Sequence, residues 1–257
     1  MEIIWISLTS FAAAILTFFS GFGLGTVLTP VFMVFFPVEL SIALTGVVHF
    51  FNNLFKLFLV GRNADKEVLL KFALPAVVAS ALGSWLLLNV AKLQPLFAYN
   101  AFGKTIEVFP VKFIISILLI IFVSIDFLPY LNTLQFSKNK LPIGGALSGF
   151  FGGLSGHQGA LRSAFLIKAG LSKEAFIATA AVASTLVDFT RLTIYATRFA
   201  KSNLSNNMNL VIFATLAAIT GAYLGNRLLK KVTFRFLKVT VAIMLIIFSI
   251  ALGAGLI

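Results

Sequence analysis

Not one cysteine occurs in 257 residues, and acidic side chains are few, eight Asp and Glu against twenty Lys and Arg. Without thiols there is no disulfide, no thiolate metal centre and no cysteine nucleophile. Charge of either sign is scarce, 11% of residues against about 25% in an ordinary globular domain. With 60% hydrophobic residues, the chain carries more apolar surface than a soluble core of this size can hide. The net charge of +12 does not point to nucleic acid, because the basic residues stand singly or in short clusters beside apolar spans. Positive-inside loops account for most of them. No basic region precedes Ile3, so the first apolar run is expected to stay in the mature protein rather than be cleaved as a signal peptide.

Seven long apolar runs are present, Ile3 to Phe19, Leu40 to Val60, Leu69 to Val90, Phe113 to Tyr130, Phe176 to Ala196, Leu210 to Leu229 and Val239 to Ile257. Most approach the roughly 20 residues that span a bilayer core. An eighth apolar stretch, Leu141 to Gly170, is interrupted by glycines and carries His157, Gln158 and Arg162. A helix broken at membrane depth exposes backbone amides that hydrocarbon cannot satisfy, so such a break is expected to line a cavity and bind something. Gly145, Gly149 and Gly153 also form a small-xxx-small stripe, equally suited to close helix packing.

The halves repeat. A shift of 135 residues places His49, Asn53, Lys56 and Val60 on Ser184, Asp188, Arg191 and Tyr195, each set on one helical face. A shift of 138 brings Gly83, Trp85 and Leu86 onto Gly221, Tyr223 and Leu224, and the break Gly21 to Gly25 matches the longer Gly152 to Gly159 of the second copy. Internal duplication of this kind is a transporter signature. The expected fold is an all-α polytopic membrane protein of a single membrane domain, 1–257. Repeat one covers 1–130 and repeat two 141–257, each a re-entrant broken-helix hairpin plus three transmembrane helices.

Charge sets the relative orientation. With the loop of Arg227, Lys230, Lys231, Arg235 and Lys238 cytoplasmic, inverted halves also place Arg62, Lys66, Lys71, Lys138, Lys140, Lys168 and Lys173 inside, leaving Lys92, Lys104, Lys112, Arg198 and Lys201 outside. Twelve against five favours inversion over the ten against seven of a parallel arrangement. Both termini are then outside a bacterial or archaeal plasma membrane.

In a re-entrant hairpin the second half-helix, starting near Thr26 in one copy and Gln158 in the other, aims its free amides and positive dipole end at mid-membrane, where they attract an anion. The candidate binding residues are therefore Gly23, Gly25, Thr26, Ser155, His157, Gln158, Gly159 and Arg162. Ser20, Thr29 and Ser163 add small hydroxyl donors nearby. Lys56, Arg162 and Arg191 fall within the membrane with Asp188 as their acidic counterpart; Asp188 and Arg191, at i and i+3, can pair, which leaves a surplus of positive charge. His49, Asn53, Lys56, Asp188 and Arg191 are candidate cavity or gating residues. A protonated His157 at the mouth of an anion site would link proton to anion binding, with Asp188 the competing proton site.

Taken together, the chain resembles the TauE/SafE family, the sulfite exporter or TSUP transporters. The resemblance rests on Ser20-Gly21-Phe22-Gly23-Leu24-Gly25-Thr26 with Pro30, on Gly149-Phe150-Phe151-Gly152-Gly153-Leu154-Ser155-Gly156 with Gly159, and on the run Ala217 to Gly225. It implies a multi-pass carrier of small, often sulfur-containing anions such as sulfite, thiosulfate or organosulfonates. The second copy departs from the family's commoner G-x-G-G-G-x-x-x-P, with Ala164 where proline often stands, and the loop Lys92 to Pro110, fairly polar from Tyr99 to Glu107, looks like a local elaboration. A secondary transporter is therefore expected, with a small anion and the lipid bilayer as partners, no nucleic acid, no cofactor and no metal, and with room for a homo-oligomer. A passive anion channel is the main alternative. A rhomboid-like serine protease is the remote one, because Gly153-Leu154-Ser155-Gly156 matches G-x-S-G and His49 is available as a base.

Overall fold

A computed structural model describes residues 2–20, 24–101, 103–127, 138–199, 207–228 and 234–257. Helix α1 is Glu2–Ser20, α2 Leu24–Met33, α3 Val38–Val60 and α4 Lys66–Val90; strands β1 (Phe97–Ala101) and β2 (Lys104–Val108) precede α5, Pro110–Phe127. The second half holds α6 (Leu141–Ser155), α7 (Gly159–Leu166), α8 (Lys173–Phe199), α9 (Met208–Leu228) and α10 (Phe234–Gly253). Among the described residues, α3, α4, α8 and α9 are each long and apolar enough to cross a bilayer. The protein is an all-α polytopic membrane protein apart from one correction: the stretch read as a polar loop is an antiparallel hairpin, Phe97 opposite Val108 and Asn100 opposite Thr105, with Gly103 at φ +71 in its turn. Only a residue without Cβ takes that conformation freely.

Local signals set the helix ends. Asp65 caps α4 by accepting the Val68 N–H at 2.9 Å, satisfying one of the orphan amides of the first turn. Pro37 precedes α3, where its missing N–H costs nothing. Gly156 ends α6 in the left-handed region, φ +79, and returns its N–H to the Gly152 carbonyl. On α4 the exposed side is an apolar stripe of Leu70, Leu74, Val78 and Leu82, while Phe72, Ala76 and Ser80 face inward. An outward stripe of that kind suits lipid.

Two faces organise the helices. At one, the Asp65 N–H is bonded to Thr179 Oγ1 at 2.9 Å, joining the start of α4 to α8. Leu141 of α6 and Leu166 at the end of α7 share a core with Val68 there, and a Cβ on Gly144 would strike the Phe165 ring at 2.3 Å. So α6 enters from the Asp65 face and α7 returns to it. At the other face, Tyr99 O–H of the hairpin donates to the Ala254 carbonyl at 2.7 Å. Met33 and Val38, where α2 gives way to α3, pack with Leu87, Leu88 and Val111 on that hairpin side.

The element contacts come in exchangeable pairs. Helix α4 lies along α6 as α9 lies along α1, α4 packs on α8 as α9 packs on α3, and α3–α8 and α5–α10 pair with each other. Their closest approaches match too: a Cβ on Gly83 would sit 2.0 Å from the Phe150 carbonyl oxygen, and one on Gly221 would sit 2.3 Å from that of Phe11.

Candidate functional site

The first turn of α2 meets the break between α6 and α7. A Cβ on Gly25 would lie 3.1 Å from the Gly156 carbonyl oxygen, and one on Gly156 would lie 3.0 Å from Arg191 Nη1 and 3.5 Å from Thr29 Oγ1. Gly25, Thr26, Ser155, His157, Gln158, Gly159 and Arg162 are all buried. Gly23 lies outside the described residues. Gln158 stands at the N-cap of α7 with no side-chain hydrogen bond to that helix's first amides.

Asp188 is the hub. Its Oδ1 accepts Arg191 Nε–H at 3.0 Å and Gln158 Nε2–H at 3.1 Å, and Arg191 Nη2 is 2.8 Å away. Its Oδ2 accepts His49 Nδ1–H at 2.5 Å and the Asn53 amide at 3.4 Å. Neither Asp188 nor Arg191 exposes any side-chain surface. The i, i+3 pair read from the sequence is thus formed, and His49, 139 residues away, closes it from α3. A buried carboxylate without such partners would be strongly disfavoured.

The second cationic layer lies nearer the Asp65 face. Arg162 donates through Nη1 to Ser184 Oγ, one turn before Asp188 on α8, and its Nε–H has no hydrogen-bond partner among the described residues. Lys56, one turn beyond Asn53, is buried and close enough for its charge to act on that of Arg162. Arg191 lies on the opposite side of Asp188, its Nη1 3.4 Å from the Gly152 carbonyl and its guanidinium carbon 3.3 Å from where a Cβ on Gly46 would stand. Among the described residues, Asp188 is the only buried acid against three buried cations, Lys56, Arg162 and Arg191.

The remaining candidates take local roles. His157 Nδ1–H donates to the Ser155 carbonyl at 2.7 Å, and its ring stacks on Phe122 at 6.2 Å between centroids. Ser148 Oγ donates to the Gln158 carbonyl at 3.1 Å, tying the break to α6. Ser155 Oγ donates to the Phe151 carbonyl at 2.9 Å, so the Ser155–His49 pair that a protease reading needs is not hydrogen-bonded here. Gly145, Gly149 and Gly153 take the packing role of their stripe, against Phe72, Ala76 and Ser80 of α4.

Ser184 and Gly46 are site residues that the sequence reading passed over. Ser184 stands opposite His49 in the aligned halves and four residues before Asp188 on one face, which was the available signal. Gly46 sits three residues before His49, and nothing in its surroundings marks it until the arginine is seen against it.

The family model described as Sulfite exporter TauE/SafE matches residues 6–252. No curated protein and no solved structure matches the chain.

Proposed function

The chain belongs to the TauE/SafE family of anion transporters, and from that premise we propose that it is a secondary carrier of a small, sulfur-containing oxyanion such as sulfite, thiosulfate or an organosulfonate. The observation that carries this reading is the excess of buried cations over buried acids among the described residues, around the point where the start of α2 meets the α6–α7 break. Buried positive charge in excess of buried negative charge in a membrane protein favours a mobile anion. The anion sits between the α2 and α7 termini, reached by the free amides of Gly159 and its neighbours and by the Arg162 guanidinium. Thr26 and Gln158 border it, the latter held by the Ser148 hydroxyl at its main-chain carbonyl and by Asp188 at its side-chain amide.

Alternating access in this reading comes from inverted repeats, 1–130 and 141–257, rocking against one another. The opposite return of the half-helices supports it: α7 ends at the Asp65 face and α2 at the hairpin face. So does the exchangeable pairing of helices across the halves.

Anion uptake into proteoliposomes, screened over sulfite, thiosulfate, alkylsulfonates, sulfate and carboxylates, tests the function. Accumulation of a sulfur oxyanion against its gradient is expected. Flux that only equilibrates the anion would make the protein a channel, and no flux of any of them would end the anion reading.

Orientation has its own check in this cysteine-free chain. Asn63, Asn100 and Asn139 are all exposed, and inversion with the basic loops inside puts Asn63 and Asn139 in the cytoplasm. Single cysteines there should be protected from an impermeant external thiol reagent, while one at Asn100 should react. The reverse pattern would overturn the orientation.

A further inference from the structure

The hydrogen-bond pattern around Asp188 separates the two histidines. His157 spends Nδ1 on a main-chain carbonyl and its ring face on Phe122, neither an acid. His49 is built differently. With Nδ1–H given to Asp188 Oδ2 at 2.5 Å, its basic nitrogen is Nε2, and the Asn53 amide nitrogen lies along the ring, 3.0 Å from Nδ1 and 3.4 Å from Nε2. An asparagine amide can donate through nitrogen to a bare Nε2 or, turned over, accept through oxygen from a protonated one. The Asn53 amide is within reach of Nε2 in either state of the ring.

We infer that His49 is the proton-binding site of the carrier, and that a proton taken up at Nε2 travels with the anion; this rests on the anion-transport reading above. The step is a protonation alone. Nε2 gains a proton from the aqueous side that the carrier faces, Nδ1–H stays on Asp188, and the resulting imidazolium offers its new N–H to Asn53 Oδ1. The cluster of Asp188, Arg191 and His49 passes from neutral to one positive charge, beside Arg162 and Lys56. Anion and proton then favour each other's binding, and by linkage the coupling is reciprocal.

Among the described residues, the charged and titratable groups around His49 are few. Facing His49 are Asp188 and Arg191 from α8, Arg162 from α7, and Asn53 and Lys56 on its own helix. Helix α2 carries no titratable side chain, and on α9 Arg227 lies over the Tyr223 ring, both exposed. The same donor set argues against sodium as the coupling ion. Both Asp188 oxygens are already taken by nitrogen donors, Arg191, Gln158, His49 and Asn53, whereas a hard cation needs a cage of oxygens.

Methanesulfonate, whose charge is constant between about pH 5 and 8, is the probe, since its own pKa lies far below that of an imidazole. Wild-type proteoliposomes held at higher pH inside than outside should concentrate it and acidify the lumen by one proton per anion, and a sodium gradient alone should drive nothing. His49→Gln should keep counterflow exchange of methanesulfonate while losing acid-driven accumulation. Asn53→Leu, a gentler change, should keep accumulation but move its pH midpoint about one unit to the acid side, roughly the worth of one hydrogen bond to a charged group. Sodium-driven uptake, wild-type exchange with no proton movement, or undiminished acid-driven accumulation in His49→Gln would each overturn the inference. So would an unmoved midpoint in Asn53→Leu if His49→Gln proves inactive even in counterflow. Absence of counterflow in wild type would instead sink the anion reading on which it rests.

Discussion

Alanine at Gly149 should leave little folded protein after extraction into mild detergent, whereas alanine at Gly61 should be close to silent. At Gly149 the added Cβ would lie 2.0 Å from the Ala76 carbonyl oxygen and 2.6 Å from that residue's carbonyl carbon and Cα. These are backbone atoms of another spanning helix, so no side chain can turn aside and α4 and α6 must separate along their whole contact. The same approach recurs at Gly145 on Phe72 and at Gly153 on Ser80, so one forced gap empties the packing at two further turns. Overpacking of this sort costs about 1–3 kcal/mol in a yielding core. A rigid backbone-to-backbone contact belongs at the top of that range or above it. Gly61 is the control, for its Cβ would meet only Leu57 side-chain atoms, at 3.6 and 3.7 Å, and its φ of −57° suits any residue. Thermal unfolding and monodispersity by size exclusion decide the matter. Equal melting of Gly149→Ala and wild type would mean that the two helices do not lie as close as described.

The stripe shows what a sequence says and withholds. Glycines at every fourth position identify a helix face open to close approach, and the same pattern serves a binding cavity, so the sequence could not divide packing from function. The partner decides it. Phe72, Ala76 and Ser80 repeat at the same spacing on α4, but two small-residue faces declare no preference for one another until the chain is folded. Longer-range chemistry is hidden for a similar reason. Asp188 and Arg191 were legible as a pair because three residues on a helix fix their separation. His49 carries no local mark of its bond to Asp188, because the contact depends on how α3 and α8 cross. The hairpin of Phe97–Val108 escaped because a polar stretch with one turn glycine lacks the alternation that marks a half-buried strand; its docking comes from Tyr99 and the Ala254 carbonyl, far apart in sequence.

The spans themselves needed no such help. Apolar runs near 20 residues imply crossing helices by length alone, and α3, α4, α8 and α9 lie where the runs place them. The central break was readable for the complementary reason, since glycines followed by polar residues have no place against lipid. In the structure α6 ends at Ser155 and α7 begins at Gly159, bracketing His157 and Gln158.

Arg162→Gln should cut anion transport by about a hundredfold or more, the equivalent of one or two charge-assisted hydrogen bonds at about 1.5–3 kcal/mol each. Arg162 rises from the first turn of α7, beside the amides at the break, and its Nη1 is held by Ser184 while Nε has no hydrogen-bond partner among the described residues. An anchored guanidinium with donor capacity in reserve can bind an oxyanion without first being reoriented, so the loss should fall mainly on affinity. Arg162→Lys should recover only part of it, because a point charge on a flexible stem lacks the planar fork that matches two oxygens at once. Ser184→Ala offers a milder case: the charge stays and its anchor goes, so affinity should weaken less than in Arg162→Lys. Binding titrations with sulfite and methanesulfonate, set beside initial uptake rates, separate these outcomes. If both Arg162 variants bind as wild type does, the residue holds α7 against α8 and nothing more, and the cation that meets the substrate must be sought at Lys56.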